Sequence, residues 1–316
     1  MREIRFLLAA SALCLPFVFN AGQRAQTGAS LFAEGVVSTA DHESNASFSP
    51  DGRTLYFTKY DRAGQSFSAV VYTELRRGRW AEPRVAPFSG LHPDSHPSVS
   101  PDGRRLYFSS SRPVGGRAKR DFDIWYAERD AAGRWGEARR VEGAVNTEAN
   151  ELAPAVTRDG TLYFWSVRPE GKGGADIYRA RAEGGRFAAP ENLGDGVNSK
   201  ANETDFYVAP DESLIVFASN RPGGEGQSDL YVSRRGAGAA WGEPRNLGGA
   251  VNSAAAEGSP ALTPDGRLLL FASTRGPGDR LARRVTYREL RAMLTGTLNG
   301  FGNFYAVDAK EALGGR

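Results

Sequence analysis

The sequence holds one cysteine, Cys14, and three histidines in 316 residues. Cys14 lies inside an apolar N-terminal run, so a chain cleaved behind that run has no thiol. Disulfides, thiolate metal sites and a cysteine nucleophile are then excluded together. An excess of one charge is also lacking. Forty Lys and Arg face 37 Asp and Glu, for a formal net charge of +3. Arg2, Arg5 and Arg24 fall in or near the N-terminal run, which brings the remainder closer to neutral. Nucleic-acid binders carry a basic patch or stripe; none is evident, and no nucleic-acid partner is expected. Familiar catalytic signatures are missing as well: there is no Gly-x-Ser-x-Gly elbow, His-Glu-x-x-His or Walker loop.

Residues 1–25 read as a signal peptide. Arg2 and Arg5 make a short basic start, and residues 6–19 are almost wholly apolar. That run falls short of the about 20 residues that span a bilayer. Cleavage is expected between positions 21 and 29. Ser11 and Leu13 stand where a lipoprotein signal wants Leu and a small residue, which argues against lipidation of Cys14. The mature chain is thus expected in the periplasm or outside the cell, without a transmembrane segment.

Glycine is plentiful, at 38 residues with 17 prolines, which suits many short strands joined by turns. A repeat organises them. Five segments align on the turn aspartates Asp51, Asp102, Asp159, Asp211 and Asp265. In each, an innermost strand a ends at a Pro-Asp-Gly-type turn, where Pro presets φ and Gly accepts positive φ. Strand b follows, as in Leu106-Tyr107-Phe108-Ser109, apolar on both faces and so expected to be buried on both. Strand c is Asp123-Ile124-Trp125-Tyr126 and its counterparts at Asp176, Asp229 and Asn303. A fourth strand d follows an aromatic (Trp80, Trp135, Phe187 or Trp241). Four antiparallel strands per repeat with both faces apolar imply sheets stacked around an axis. The expected fold is all-β: a five-bladed β-propeller of four-stranded antiparallel blades, as one domain over residues 30–316. The blades fall near 43–90, 94–146, 151–198, 203–252 and 257–309. The last repeat lacks a strand d, and residues 32–38 resemble the strand-d stretch 193–199. Residues 30–38 are therefore expected to complete blade five and close the ring.

Ser100-Pro-Asp-Gly-Arg-x-Leu-Tyr-Phe-Ser-x-x-Arg112 and Asp176-Ile-Tyr178 resemble the WD40-like propeller repeat called PD40, found in the TolB propeller and many bacterial envelope proteins. The resemblance covers about residues 30 to 309 and implies a propeller; the architecture hosts many unrelated functions. Departures stand out. Arg158 replaces a turn proline, Glu212 replaces a turn glycine, Asn303 replaces the strand-c aspartate, and blade one lacks both the arginine and that aspartate.

Eight residues before each turn aspartate lies a carboxylate: Glu43, Asp94, Glu151, Glu203 and Glu257. Four residues past the strand-b Phe, blades two to five carry Arg112, Arg168, Arg221 and Arg275, while blade one has Asp61. Both registers fall at one end of the blades, as do Asp123, Asp176 and Asp229. Two readings follow. In one, each blade holds its own Glu–Arg–Asp network. In the other, these nine acids and arginines form a polar ligand site at the channel mouth. A long loop at residues 276–302, with Arg280, Arg283, Arg284, Arg288 and Arg291 and a Thr286-x-x-Glu289 capping box, reads as a lid on that mouth or a helix on the outer side of the blade. Where the pattern fails, between blades one and two, His42, His96, Glu43 and Asp94 are a candidate metal set. His92 lies in the same region.

The function expected is a non-catalytic binding scaffold that engages an envelope protein or glycan. The alternative is a carbohydrate-active or metal-assisted hydrolase or lyase at the channel mouth. No cofactor is expected for the scaffold; a divalent metal belongs to the alternative.

Overall fold

The computed structural model describes residues 28–61, 66–236, 240–276 and 284–314. The signal-peptide reading, Cys14, Arg280 and Arg283 lie outside them. The chain forms five four-stranded antiparallel blades arranged as a β-propeller. Blade one runs His42–Phe48 (strand a), Thr54–Tyr60 (b), Ser68–Arg76 (c) and Arg84–Val85 (d). Blade two runs Asp94–Val99, Arg105–Ser110, Asp123–Glu128 and Arg139–Arg140. Blade three runs Glu151–Val156, Leu162–Ser166, Asp176–Ala180 and Glu191–Asn192. Blade four runs Glu203–Val208, Leu214–Ser219, Asp229–Arg234 and Arg245–Asn246. Blade five runs Glu257–Leu262, Leu268–Ser273 and Asn303–Asp308, with Ser30–Leu31 as its strand d.

Burial follows from the two-faced apolar pattern of strand b. Leu55, Phe57, Leu106, Phe108, Phe164, Phe217 and Phe271 are fully buried. Five hydrophobic clusters result, one at each junction between neighbouring blades. The junction of blades five and one joins Phe32, Val37, Leu270 and Phe304 to Leu55, Phe57 and Val71. The ring of packing is therefore continuous.

The N-terminal segment differs from expectation in extent. Strand pairing is confined to Ser30 and Leu31, opposite Ala306 and Tyr305. Residues 32–38 instead turn, with Val37 N–H donating to Ala33 O. The likeness to residues 193–199 is shifted by one, Ser38 taking the place of Asn198 and Thr39 that of Ser199. The Ser38 hydroxyl accepts from Phe304 N–H at 3.1 Å and donates to Phe304 O at 3.0 Å. Asn146, Asn198 and Asn252 pin Ile124, Ile177 and Leu230 in the same two-handed way. Glu212 occupies its turn at φ 57. Its carboxylate accepts from Tyr163 Oη and Arg235, which ties blades three and four together.

Every strand a is broken by a β-bulge at one register. Pairing shifts between Ser44 and Ser47, Ser95 and Ser98, Leu152 and Ala155, Thr204 and Phe206, and Gly258 and Ala261. The bulged residues Asn45, His96, Ala153, Asp205 and Ser259 all have positive φ, between 31° and 57°. Such conformations are uncommon for non-glycine residues and costly where the side chain lacks a local partner. A bulge bends its strand and re-aims a side chain; here four of the five side chains converge on the axis.

Candidate functional site

The two ends of strand a carry different chemistry. At its start lie the five carboxylates, each 0–1% exposed. Glu203 shows the arrangement. Its Oε2 accepts from Ser199 N–H at 2.7 Å, and its Oε1 from Ser199 Oγ at 2.7 Å, Ser219 Oγ at 2.7 Å and Arg221 Nη2 at 3.1 Å. Glu257 repeats this with Ser253, Ser273 and Arg275. Glu151 does so with Thr147, Ser166 and Arg168. In blade two Asp94 accepts from Ser89 Oγ and Arg112 Nη2, both at 2.8 Å. The arginines also donate to the carbonyls of Phe88, Val145, Val197 and Val251. Each guanidinium lies 4.9–5.4 Å from the centre of its strand-b Phe ring. An opposite aromatic of strand c, Trp125, Tyr178, Tyr231 or Tyr305, stands 4.7–5.5 Å away. Acid and arginine thus lock strand b of each of these blades to the d–a loop that arrives from the blade before it.

The strand-c aspartates sit apart from these pairs. Asp123 pairs with Lys119 and Arg140, each at 2.8 Å. Asp176 accepts from Lys172 N–H and Asn192, and Asp229 from Glu225 N–H, Gly226 N–H and Asn246. Blade one keeps its acid by another route. Lys59 stands where the other blades have the strand-b serine, and its Nζ lies 3.4 Å from Glu43 and 2.7 Å from Asp41. Thr39 supplies the remaining donors to Glu43. Asp61, at the arginine register, binds the Ser66 N–H and hydroxyl instead. Burial is the largest influence on Glu43 and Glu151 and pushes both above the ordinary glutamate value, against the threonine hydrogen bonds and the Lys59 or Arg168 charge.

The four candidate metal residues do not converge. His42 stacks on Phe301 at 6.3 Å between ring centres and meets Tyr60 at a tilt at 5.1 Å, and burial pushes its imidazole below the ordinary value. His96 turns to the channel axis, while Glu43 and Asp94 hold their own blades. His92 is half-buried in the loop leading to Asp94. Among the described residues no three His, Cys, Asp or Glu side chains are grouped as a metal site.

At the axis the bulged side chains meet. Asp205 Oδ2 accepts from Ser259 Oγ at 2.7 Å and from Asn45 Nδ2 at 3.3 Å, and its Oδ1 lies 3.2 Å from His96 Nε2. Asn45 Nδ2 also donates to Ser259 Oγ at 2.9 Å, and its Oδ1 accepts from Tyr60 Oη at 3.2 Å. His96 Nδ1 is 2.8 Å from Ser95 Oγ. Burial alone would raise the Asp205 carboxyl; the hydrogen bond and charge of His96, with Ser259, hold it below the usual aspartate value. Tyr60 is pushed up to about 12, chiefly by burial.

This cluster floors a cavity of about 470 Å³ that follows strand a to the a–b turns. Phe48, Val99, Val156, Tyr207 and Leu262 are among the wall residues. The rim carries Pro50, Pro101, Pro210 and Pro264, with Arg158 at the same register in blade three. Five residues separate Asp205 from Pro210, a depth of roughly 16 Å at about 3.3 Å per residue. Among the described residues lining it, Asp205 is the one carboxylate. A second crevice of about 830 Å³, between blades five and one, is lined by Leu31, Phe48, Trp80 and Leu268; the axial polar cluster does not reach it. The sequence reading named His96 but missed Asn45, Asp205 and Ser259.

No family model matches the chain, and no curated protein does. Solved structures do. A putative TolB from Agrobacterium tumefaciens aligns over 74% of this chain and 70% of its own, at 18% identity and TM-score 0.47. TolB from Acinetobacter baumannii aligns over 85% of this chain and 55% of its own, at 17% identity and TM-score 0.48. An α-L-arabinofuranosidase from Lactobacillus brevis aligns over 87% and 93%, at 12% identity and TM-score 0.50. At these identities the likeness is one of fold.

Proposed function

We propose that the chain is a non-catalytic binding propeller of the bacterial periplasm or cell exterior, and that it takes a segment of an envelope protein or glycan into the axial cavity. The observation carrying this reading is the convergence of Asn45, His96, Asp205 and Ser259, from four blades, on the floor of that cavity. Propeller pockets with apolar walls and a few convergent polar groups are suited to orienting a ligand.

The hydrolase alternative fits the same residues less well. Glycoside hydrolysis ordinarily uses two carboxylates flanking the bond, about 5 to 10 Å apart, whereas the described cavity lining offers Asp205 alone. The Ser95–His96–Asp205 chain has the partners of a nucleophilic triad. Its serine, however, is 2% exposed and sits beside the histidine in the backbone. A nucleophile needs access to its substrate.

The test is titration of soluble envelope glycan fragments and short peptides, followed by calorimetry, on wild type, Asp205→Asn and Arg158→Ala. The reading expects a binder recovered unchanged after incubation, with affinity lowered about tenfold or more by Asp205→Asn. Turnover of a bound glycan, abolished in Asp205→Asn, would establish the hydrolase instead. Binding indifferent to both substitutions would move the site elsewhere.

A further inference from the structure

We infer that the loop-bearing face of the propeller, opposite the cavity rim, seats on an anionic lipid surface through the Tyr287–Thr295 helix. The helix has its capping box: Glu289 N–H donates to Thr286 Oγ1, and Thr286 N–H donates to Glu289 at 2.8 Å. It buries none of its residues. Its apolar stripe is open to solvent. Tyr287 is 78% and Leu294 63% exposed, with Leu290 on the same face and Leu298 continuing it. Beyond the helix the segment is tied down by Thr297 Oγ1 to Glu34 and Asn299 Nδ2 to Ala40 O.

A nine-residue helix is shorter than the about 12–15 residues that make even favourable isolated helices marginal in water, and most helical stability comes from packing an apolar face. Met293 is half-buried, but Tyr287, Leu290 and Leu294 of this face are left exposed, so an external surface is the natural cover. Three observations select a bilayer over a groove-bearing protein. First, Phe67, Leu91 and Val167 are exposed in loops at the same end of blades one, two and three. Together with the helix in blade five, exposed apolar points therefore lie on four of the five blades at this face, as a flat partner suits. Second, Arg288 and Arg291 flank the stripe and make no ion pair among the described residues, while the Glu289 carboxylate is engaged at the cap. Cations beside an apolar stripe suit the interface of an anionic membrane. Third, both cavities lie elsewhere on the molecule.

The experiment is co-sedimentation of the full chain with vesicles of mixed phosphatidylglycerol and phosphatidylethanolamine, and with phosphatidylcholine alone. Wild type is compared with L290E/L294E and with R288Q/R291Q. All three share one N-terminus, so any contribution from residues 6–19 cancels. These side chains are exposed, and unchanged melting temperatures check that the variants fold. Binding is expected to favour the anionic vesicles. It should fall about tenfold or more in L290E/L294E, and about fivefold per arginine in R288Q/R291Q. Wild type that binds neither vesicle, or binding unaltered in L290E/L294E, would overturn the inference. So would a dimer seen by light scattering and lost in L290E/L294E, which would give the face to a second copy of the chain.

Discussion

Glu203 and Asp205 stand two residues apart on one strand, yet they belong to different systems. Glu203 occupies a register that carries an acid in all five blades, and blades three to five give it the same hydroxyl and arginine partners. Asp205 occupies a register that reads Asn, His, Ala, Asp and Ser around the ring. The first register does the same job in each blade, so repetition is what fold maintenance demands of it. The second faces a single shared axis, where five identical side chains would crowd or repel, and difference is what builds a site. The rim repeats the lesson. Four blades place proline there, and Arg158 breaks the set.

The largest effect should come from the repeated register. Glu151→Ala leaves Arg168, 7% exposed, without its carboxylate. Breaking such a pair costs about 3–5 kcal/mol, read as a lower urea midpoint. Glu43→Ala should cost less, nearer about 1–2 kcal/mol, because the Lys59 side chain is 29% exposed and can turn to water. Equal losses in the two would mean that the buried arginine is not what makes the register costly.

Acid titration should separate the two registers by sign. The folded Glu151 carboxyl lies above its unfolded value near 4.5. The native state therefore binds the extra proton, and stability attributable to Glu151 increases as pH falls through the folded value towards 4.5. The folded Asp205 carboxyl lies below its unfolded value near 3.8. Its contribution is fully present above 3.8 and is lost as pH falls through the folded value. Subtracting the Glu151→Gln and Asp205→Asn stability curves from wild type should give opposite slopes in those two windows. Slopes of one sign would dissolve the distinction. The smallest effect belongs to Glu148→Ala in the exposed part of the loop before Glu151, within about 0.5 kcal/mol of wild type.

The repeated register was legible because each of its parts leaves a fixed spacing from the turn aspartate. The hydroxyls Thr39, Thr147, Ser199 and Ser253 lie twelve residues before that turn and could have been found the same way. The axial cluster left no such mark. A bulge has no residue signature when its occupants are Asn, His, Ala, Asp and Ser; only Asn, Asp and His favour positive φ, and Ala153 and Ser259 adopt it regardless. Its side chains also come from four blades, up to 214 positions apart in sequence. Closure was half legible. The likeness of residues 32–38 to 193–199 was visible one residue out of register, and the pairing of Ser30 and Leu31 depends on how residues 32–38 turn. The helix and its cap were readable from Thr286 and Glu289, whereas the outward aim of the stripe is set by where the loop is tied.

The central claim is that one strand carries both a fold-holding acid and a ligand-holding acid. Urea unfolding of Glu203→Gln beside Asp205→Asn tests it most directly, because each swap preserves shape. Glu203→Gln removes the charge facing Arg221 and turns an amide towards donors, and should lower stability by about 2–4 kcal/mol. Asp205→Asn, lining an open cavity, should lower it by about 1 kcal/mol while abolishing the low-pH loss described above. Asp205→Asn that destabilises the propeller as much as Glu203→Gln would contradict the account, since the axial cluster would then be another structural clamp.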